Sequence, residues 1–203
     1  MKYLEKIQGL LPLGYLYLIL LGLLKEGILY HQLGINIIEY SSITDILLSP
    51  IAEMTSGPTL IVVTIAIVII FFIIQTILVQ NSHKSWAKKF LGENRFSNVS
   101  TKKEVQKTIF PIFALLMALE LLAVFIGMGI GQGSRVVNKI QNNELDYGYK
   151  VTYATGRSED IYVIDRNSSY YFYLTKGNKN IKIAPVASIN SLELLKNNKV
   201  NGK

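Results

Sequence analysis

The chain has no cysteine. Disulfide staples, thiolate catalysis and cysteine metal sites are thereby excluded, and the redox state of its compartment leaves no mark on the sequence. Histidine is scarce too, with two residues in 203. One of them, His31, shares a segment with Glu39, Asp45 and Glu53, but the spacings match no ligand pattern, so neither a metal nor a cofactor is expected. A phosphate loop is also missing. "GMGIGQG", residues 127–133, has the glycines of one but lies inside an apolar run and lacks the Lys-Ser/Thr ending. No nucleophile stands beside a base, so no catalytic residue is nominated, and an enzyme embedded in the membrane ranks last among the function classes.

What the chain has is apolar surface in long runs. Hydrophobic residues make up 50% of it and the mean hydropathy is +0.31, more than an ordinary soluble domain carries. A hydrocarbon layer about 30 Å thick needs about 20 apolar residues in a helix. Three segments meet that length, at residues 7–30, 58–80 and 108–132. Lys2 and Lys6 precede the first in the order of a secretory signal, but no small-residue cleavage site follows, so it reads as a retained span. Ser56, Gly57 and Pro58 mark a stop and a start before the second. Thr101 and Glu104 have capping-box spacing before the third.

The net charge of +7 raises nucleic acid as a partner, but the basic residues crowd beside apolar runs, where anionic lipid headgroups are nearer. The bilayer is the expected partner and nucleic acid is not. Lysine and arginine near span ends stay on the cytoplasmic side. Nine of them (Lys2, Lys6, Lys84, Lys88, Lys89, Arg95, Lys102, Lys103, Lys107) face four on the other side (Lys25, Arg135, Lys139, Lys150). This predicts a multi-pass protein of the plasma (inner) membrane, with the amino terminus cytoplasmic and the carboxy-terminal region extracytoplasmic.

The transmembrane region is expected to occupy residues 1–134. Its outer segment, 31–56, is acidic and half apolar, and Ser42 and Asp45 stand at capping spacing ahead of a short amphipathic helix bent by Pro50. Its inner segment, 81–107, interleaves Trp86 and Phe90 with Lys84, Lys88 and Lys89, the pattern of an interfacial anchor with rings in lipid and lysines at the headgroups. From residue 135 to 203 the sequence is expected to form a small extracytoplasmic β module. "YKVTYA", "DIYVID", "SYYFYLT", "IKIAPV" and "INSLELL" alternate in character and are separated by the turn clusters "TGRSE", "DRNSS" and "KGNKN". Four or five antiparallel strands follow, giving an integral membrane α-helical protein with a small antiparallel β module, α+β overall. So small a module buries little core and is expected to lean on the membrane surface, the outer segment or a second copy.

One acid interrupts the third run, "IFPIFALLMALELLAVFIGMGIGQG". Glu120 falls about 16 Å along the helix, near the bilayer midplane, where an ionised carboxylate costs about 2.5–3.5 kcal/mol or more. At about 100° per residue, Gly127 and Gly131 lie within about 20° of it and Ala123 is near the same face. Gly127/Gly131 and Gly129/Gly133 are both G-x-x-x-G pairs that allow another helix to approach. Glu120, Ala123, Gly127 and Gly131, with Lys25 as an ionic partner for the acid, are therefore the candidates for helix packing or for a pathway. The first expectation is a non-enzymatic membrane protein that assembles through its helices, with itself or a membrane partner, and displays the β module for interaction. The alternative is a small oligomeric channel or membrane-perturbing effector with Glu120 lining the pathway. Nothing in the sequence names a small-molecule ligand.

Overall fold

In a computed structural model of the protein, which describes residues 2–91 and 102–195, three helices are long and apolar enough to cross a membrane: Gln8–Gln32, Leu60–Gln80 and Glu104–Gln141. They form most of α1 (Lys2–Gln32), α3 (Pro58–Gln80) and α5 (Lys102–Gln141); α2 (Ile43–Ser56) and α4 (Ser85–Leu91) are shorter. Five strands follow, β1 (Tyr149–Tyr153), β2 (Ser158–Arg166), β3 (Tyr170–Thr175), β4 (Lys182–Pro185) and β5 (Ile189–Leu194). They make one sheet of order β4-β3-β2-β1-β5 in which every pairing is antiparallel. The fold is α+β.

Local chemistry explains the helix ends. α1 closes on Gly34, whose φ of +73° is the left-handed conformation that glycine adopts without a Cβ clash. α2 opens on a reciprocal cap: Ser42 N–H donates to Asp45 Oδ2 at 3.0 Å while Asp45 N–H donates to Ser42 Oγ at 3.1 Å. Pro58 stands at the first turn of α3 after an extended Gly57, where its missing N–H costs nothing. α5 runs to Gln141, past the end expected near residue 132, because its four glycines do not break it. It stops at Asn143, at φ +58°, with Glu144 N–H donating to the Lys139 carbonyl at 2.9 Å. The capping pair assigned to Thr101 and Glu104 has Thr101 outside the described residues.

The chain divides into two compact units, Met1–Pro50 with Ile126–Lys203, and Ile51–Phe125. In the second, Leu78, Ala87, Val105, Ile109 and Phe113 form a core, with Phe71 edge-on to Phe113 at 6.1 Å. Much of α3, including Ile65, Ile69, Phe72 and Ile73, is exposed, as suits a helix solvated by lipid.

In the first unit, α1 meets α2 and α5 closely. A Cβ on Gly22 would run into the Ile46 carbonyl of α2, and one on Gly129 of α5 would lie 2.6 Å from the Lys25 carbonyl. Gln32 ties α1 to α5: its Nε2 donates to the Gly129 carbonyl at 3.2 Å, and its Oε1 accepts from Ser134 Oγ at 2.8 Å. The sheet adds two apolar faces. Val151, Ile161, Tyr171 and Tyr173 pack together on one, and Phe172 on the other is fully buried with Leu29, Tyr30 and Ile37 at the end of α1. The segment after α1, through Ile37 and Tyr40, is thus one of the supports the sheet leans on.

These contacts predict a contrast between glycines of the same helix. Gly22→Ala is expected to destabilise the protein by about 1–3 kcal/mol through overpacking against a backbone atom, whereas Gly14→Ala, with nothing within 4 Å, should be neutral or slightly stabilising. Thermal unfolding in detergent measures both; equal effects would show that α2 does not approach α1 at Gly22.

Candidate functional site

The last two turns of α1 carry polar groups into a buried place. Lys25 and Glu26 are both buried, and Lys25 Nζ donates to Glu26 Oε1 at 3.0 Å. Ser49 Oγ, from α2, donates to the same oxygen. Glu26 Oε2 is buried and has no hydrogen-bond partner among the described residues. One turn further on, Tyr30 O–H donates to Asp165 Oδ2 at 3.1 Å. The site therefore joins α1, α2 and the sheet.

A bulge delivers Asp165 to it. Along β2 the pairing runs Ile161 to Thr175 and Val163 to Tyr173, then slips so that Asp165 faces Phe172. Regular alternation would send Ile164 and Asp165 to opposite faces. With the slip, both Ile164 and Asp165 meet the face that α1 covers, the re-aiming that bulges commonly perform. Burial, and then the negative charge of Glu26, push the Asp165 carboxyl up to about 6, against the lowering effect of the Arg166 N–H, Lys25 and Tyr30.

A second carboxylate fastens the neighbouring turn. Asp45 accepts from Ser168 N–H at 3.1 Å and from Ser168 Oγ at 3.0 Å while still capping α2. Asn167 Nδ2 donates to the Tyr40 carbonyl at 3.0 Å. Partial burial pushes Asp45 up, but the hydrogen bonds from Ser42 and Ser168 outweigh it and hold the carboxyl below the usual range.

The residues nominated from sequence are distributed differently. Lys25 belongs to the buried cluster through its ion pair with Glu26. Glu120 and Ala123 are exposed, and no atom lies within 4 Å of a Cβ at Gly127 or Gly131. Of the two glycine pairs, Gly129 and Gly133 carry the contact with α1. Trp86, Lys84, Lys88 and Lys89 are exposed on or beside α4, whose Ala87 is buried in the core; the side chain of Phe90 lies outside the described residues. Among the described residues no group of three His, Asp or Glu is placed to hold a metal ion.

Sequence reasoning alone does not find Glu26, Tyr30 and Asp165. Asp165 stands at the head of the turn cluster "DRNSS", and nothing in β2 itself marks it, because the bulge at Ile164 is set by the register with β3. No protein-family model, curated protein or solved structure matches this chain.

Tyr30→Phe should leave the aromatic packing in place but strip Asp165 of a donor, with an expected loss of about 1–3 kcal/mol in thermal or denaturant unfolding; an unchanged midpoint would show the hydroxyl to be dispensable. Asp45→Asn should speed hydrogen exchange at the Ser168 amide and cost about 1 kcal/mol as the cap weakens. Because the folded form holds Asp45 in its ionised state, its contribution is present above the ordinary carboxylate pKa and disappears as pH falls through the lowered folded value. Wild-type exchange at Ser168 should accordingly approach that of the variant in acid, and a constant difference would contradict this assignment.

Proposed function

We propose that this protein is a non-enzymatic, multi-pass membrane protein that presents its sheet at the bilayer surface as an interaction module and assembles through its apolar helices. The observation that carries the reading is the burial of Phe172 beneath Tyr30, Ile37 and Tyr40. A module hung on a free linker needs no such seat. Here the sheet shares a core with the end of an apolar helix, so whatever engages it is mechanically joined to that helix. α5 supports the same reading, since Lys179 Nζ donates to the Gln141 carbonyl at 3.2 Å and Lys139 lies 5.8 Å from the Tyr162 ring centroid.

The nine-to-four division of basic residues supports a cytoplasmic amino terminus and an extracytoplasmic sheet in the plasma (inner) membrane. α4 fits an anchor on the cytoplasmic face, its exposed Trp86 and lysines meeting lipid headgroups. The partner in assembly is a second copy or another membrane protein. A second reading, an oligomeric channel or membrane-perturbing effector, is favoured by one observation, the exposure of Glu120 within an apolar helix.

Orientation is tested by reporters: one fused after Lys203 should be active only outside the cytoplasm and one near Asn94 only inside, and the opposite pattern would overturn the arrangement. Assembly is tested by the oligomeric state in lipid. Gly127→Leu should reduce association while Glu120→Gln preserves it if the helix serves packing alone. In a pathway, Glu120→Gln should leave the oligomer intact but abolish or alter proton or ion flux in liposomes. Absence of flux from the wild type over a range of pH and voltage would remove the second reading.

A further inference from the structure

We propose that α2 is embedded in the membrane, with Ile43, Leu47 and Leu48 among lipid acyl chains where hydrocarbon gives way to headgroups, a placement that rests on the reading of α1 as a membrane span. The apolar run of α1 extends from Ile7 to Leu24, and the charges of Lys25 and Glu26 follow it directly. α2 touches α1 at that boundary. A Cβ on Gly22 would run into the Ile46 carbonyl, and Ser49 Oγ donates to Glu26 Oε1. Gly22 and Glu26 are about 6 Å apart along the helix axis, so one contact lies just inside the apolar run and the other just beyond it. A helix about 10 Å across held at this level has acyl chains along any flank that protein leaves open.

The sides of α2 are divided to match. At about 100° per residue, Ile43, Leu47 and Leu48 fall in a sector about 140° wide, bounded by Ile46 on one side and Asp45 on the other. Ile46 is buried and meets α1. Asp45 meets the sheet, accepting from Ser168 N–H at 3.1 Å and Ser168 Oγ at 3.0 Å. Between them the sector is apolar apart from Thr44 in the first turn, and it is open: Ile43 is 72% exposed and Leu48 50%. In water this strip would be an uncovered apolar patch. In lipid it extends a surface already present on α1, where Leu16 and Leu20 are exposed within two turns of Gly22. The same bilayer that solvates those leucines therefore solvates α2, and through Asp45 the β2–β3 turn is tied to a helix whose depth lipid sets.

The lack of cysteine makes the test direct. Nitroxide labels are placed at single introduced cysteines in the full-length protein in lipid nanodiscs, and their relaxation is compared between oxygen, which concentrates in acyl chains, and a water-soluble nickel chelate. Labels at Ile43→Cys and Leu48→Cys should respond several-fold more to oxygen than to nickel. A label at Lys176→Cys, exposed in the β3–β4 turn, should show the reverse, and one at Leu16→Cys reports on α1 itself. Oxygen preference at Leu16 with nickel preference at Ile43 and Leu48 would overturn the proposal and leave the span intact; nickel preference at Leu16 would overturn the span and the proposal with it. Poor access of both agents to Leu48, unchanged when lipid is in large excess, would assign the strip to a second copy or another protein and overturn the proposal. Should the labelled variants fail to fold, the single tryptophan of the chain offers a second measurement. Leu48→Trp in a Trp86→Phe background should be quenched by lipids brominated on the acyl chain, and emission that these lipids leave unchanged would equally overturn the assignment.

Discussion

The contact on which most of this protein's first unit depends is Phe172 against Tyr30. Their rings meet edge-on at 4.8 Å and both are buried; such a pair contributes about 0.5–1.5 kcal/mol beyond the area it hides. Its position matters more than its energy. Five short strands in fewer than about 50 residues enclose little apolar volume, and Tyr171 and Tyr173 already use one face of β3 for the sheet's own core. The other face needs a cover from outside the sheet, and the end of α1 with the turn at Ile37 and Tyr40 supplies it.

That demand explains the polar contacts around it. A helix end buried under a sheet leaves carbonyls and side chains without water, and each must find a partner or cost stability. Gln32 answers for α5, Asn167 and Ser168 for the segment leading into α2, and Tyr30 for Asp165. The small residues follow the same logic. Gly22 and Gly129 are needed where backbones approach, whereas Gly14 and Gly127 have open space beside them.

Much of this architecture is legible in the residues. Long uncharged runs have one physical outcome, so the three apolar helices can be read directly, and Pro58 and the Ser42–Asp45 cap mark ends correctly because capping depends on neighbours in sequence. The five strands are visible in their alternation and turns. Long-range choices are not visible. A helical wheel finds two glycine pairs on α5 but does not say which one another helix meets, and it is Gly129 and Gly133. The glycines also suggest too early an end for α5, because glycine in isolation weakens a helix, while here two of the four sit in packing positions. The bulge at Ile164 depends on β3's register, so the destination of Asp165 cannot be seen from β2 alone.

The buried carboxylates follow from the same constraint. Covering Phe172 with the last turns of α1 brings whatever side chains lie one turn earlier into low dielectric, and at that position this chain has Lys25 and Glu26. An ion pair placed there is poor evidence of added stability, because desolvation offsets most of the attraction. Its geometry is selective: Lys25 and Ser49 both engage one oxygen of Glu26, and the other is buried with no hydrogen-bond partner among the described residues. With Glu26 on the helix and Asp165 on the bulge, the seat carries polar side chains whose directional hydrogen bonds to Lys25, Ser49 and Tyr30 fix where the sheet lies on α1.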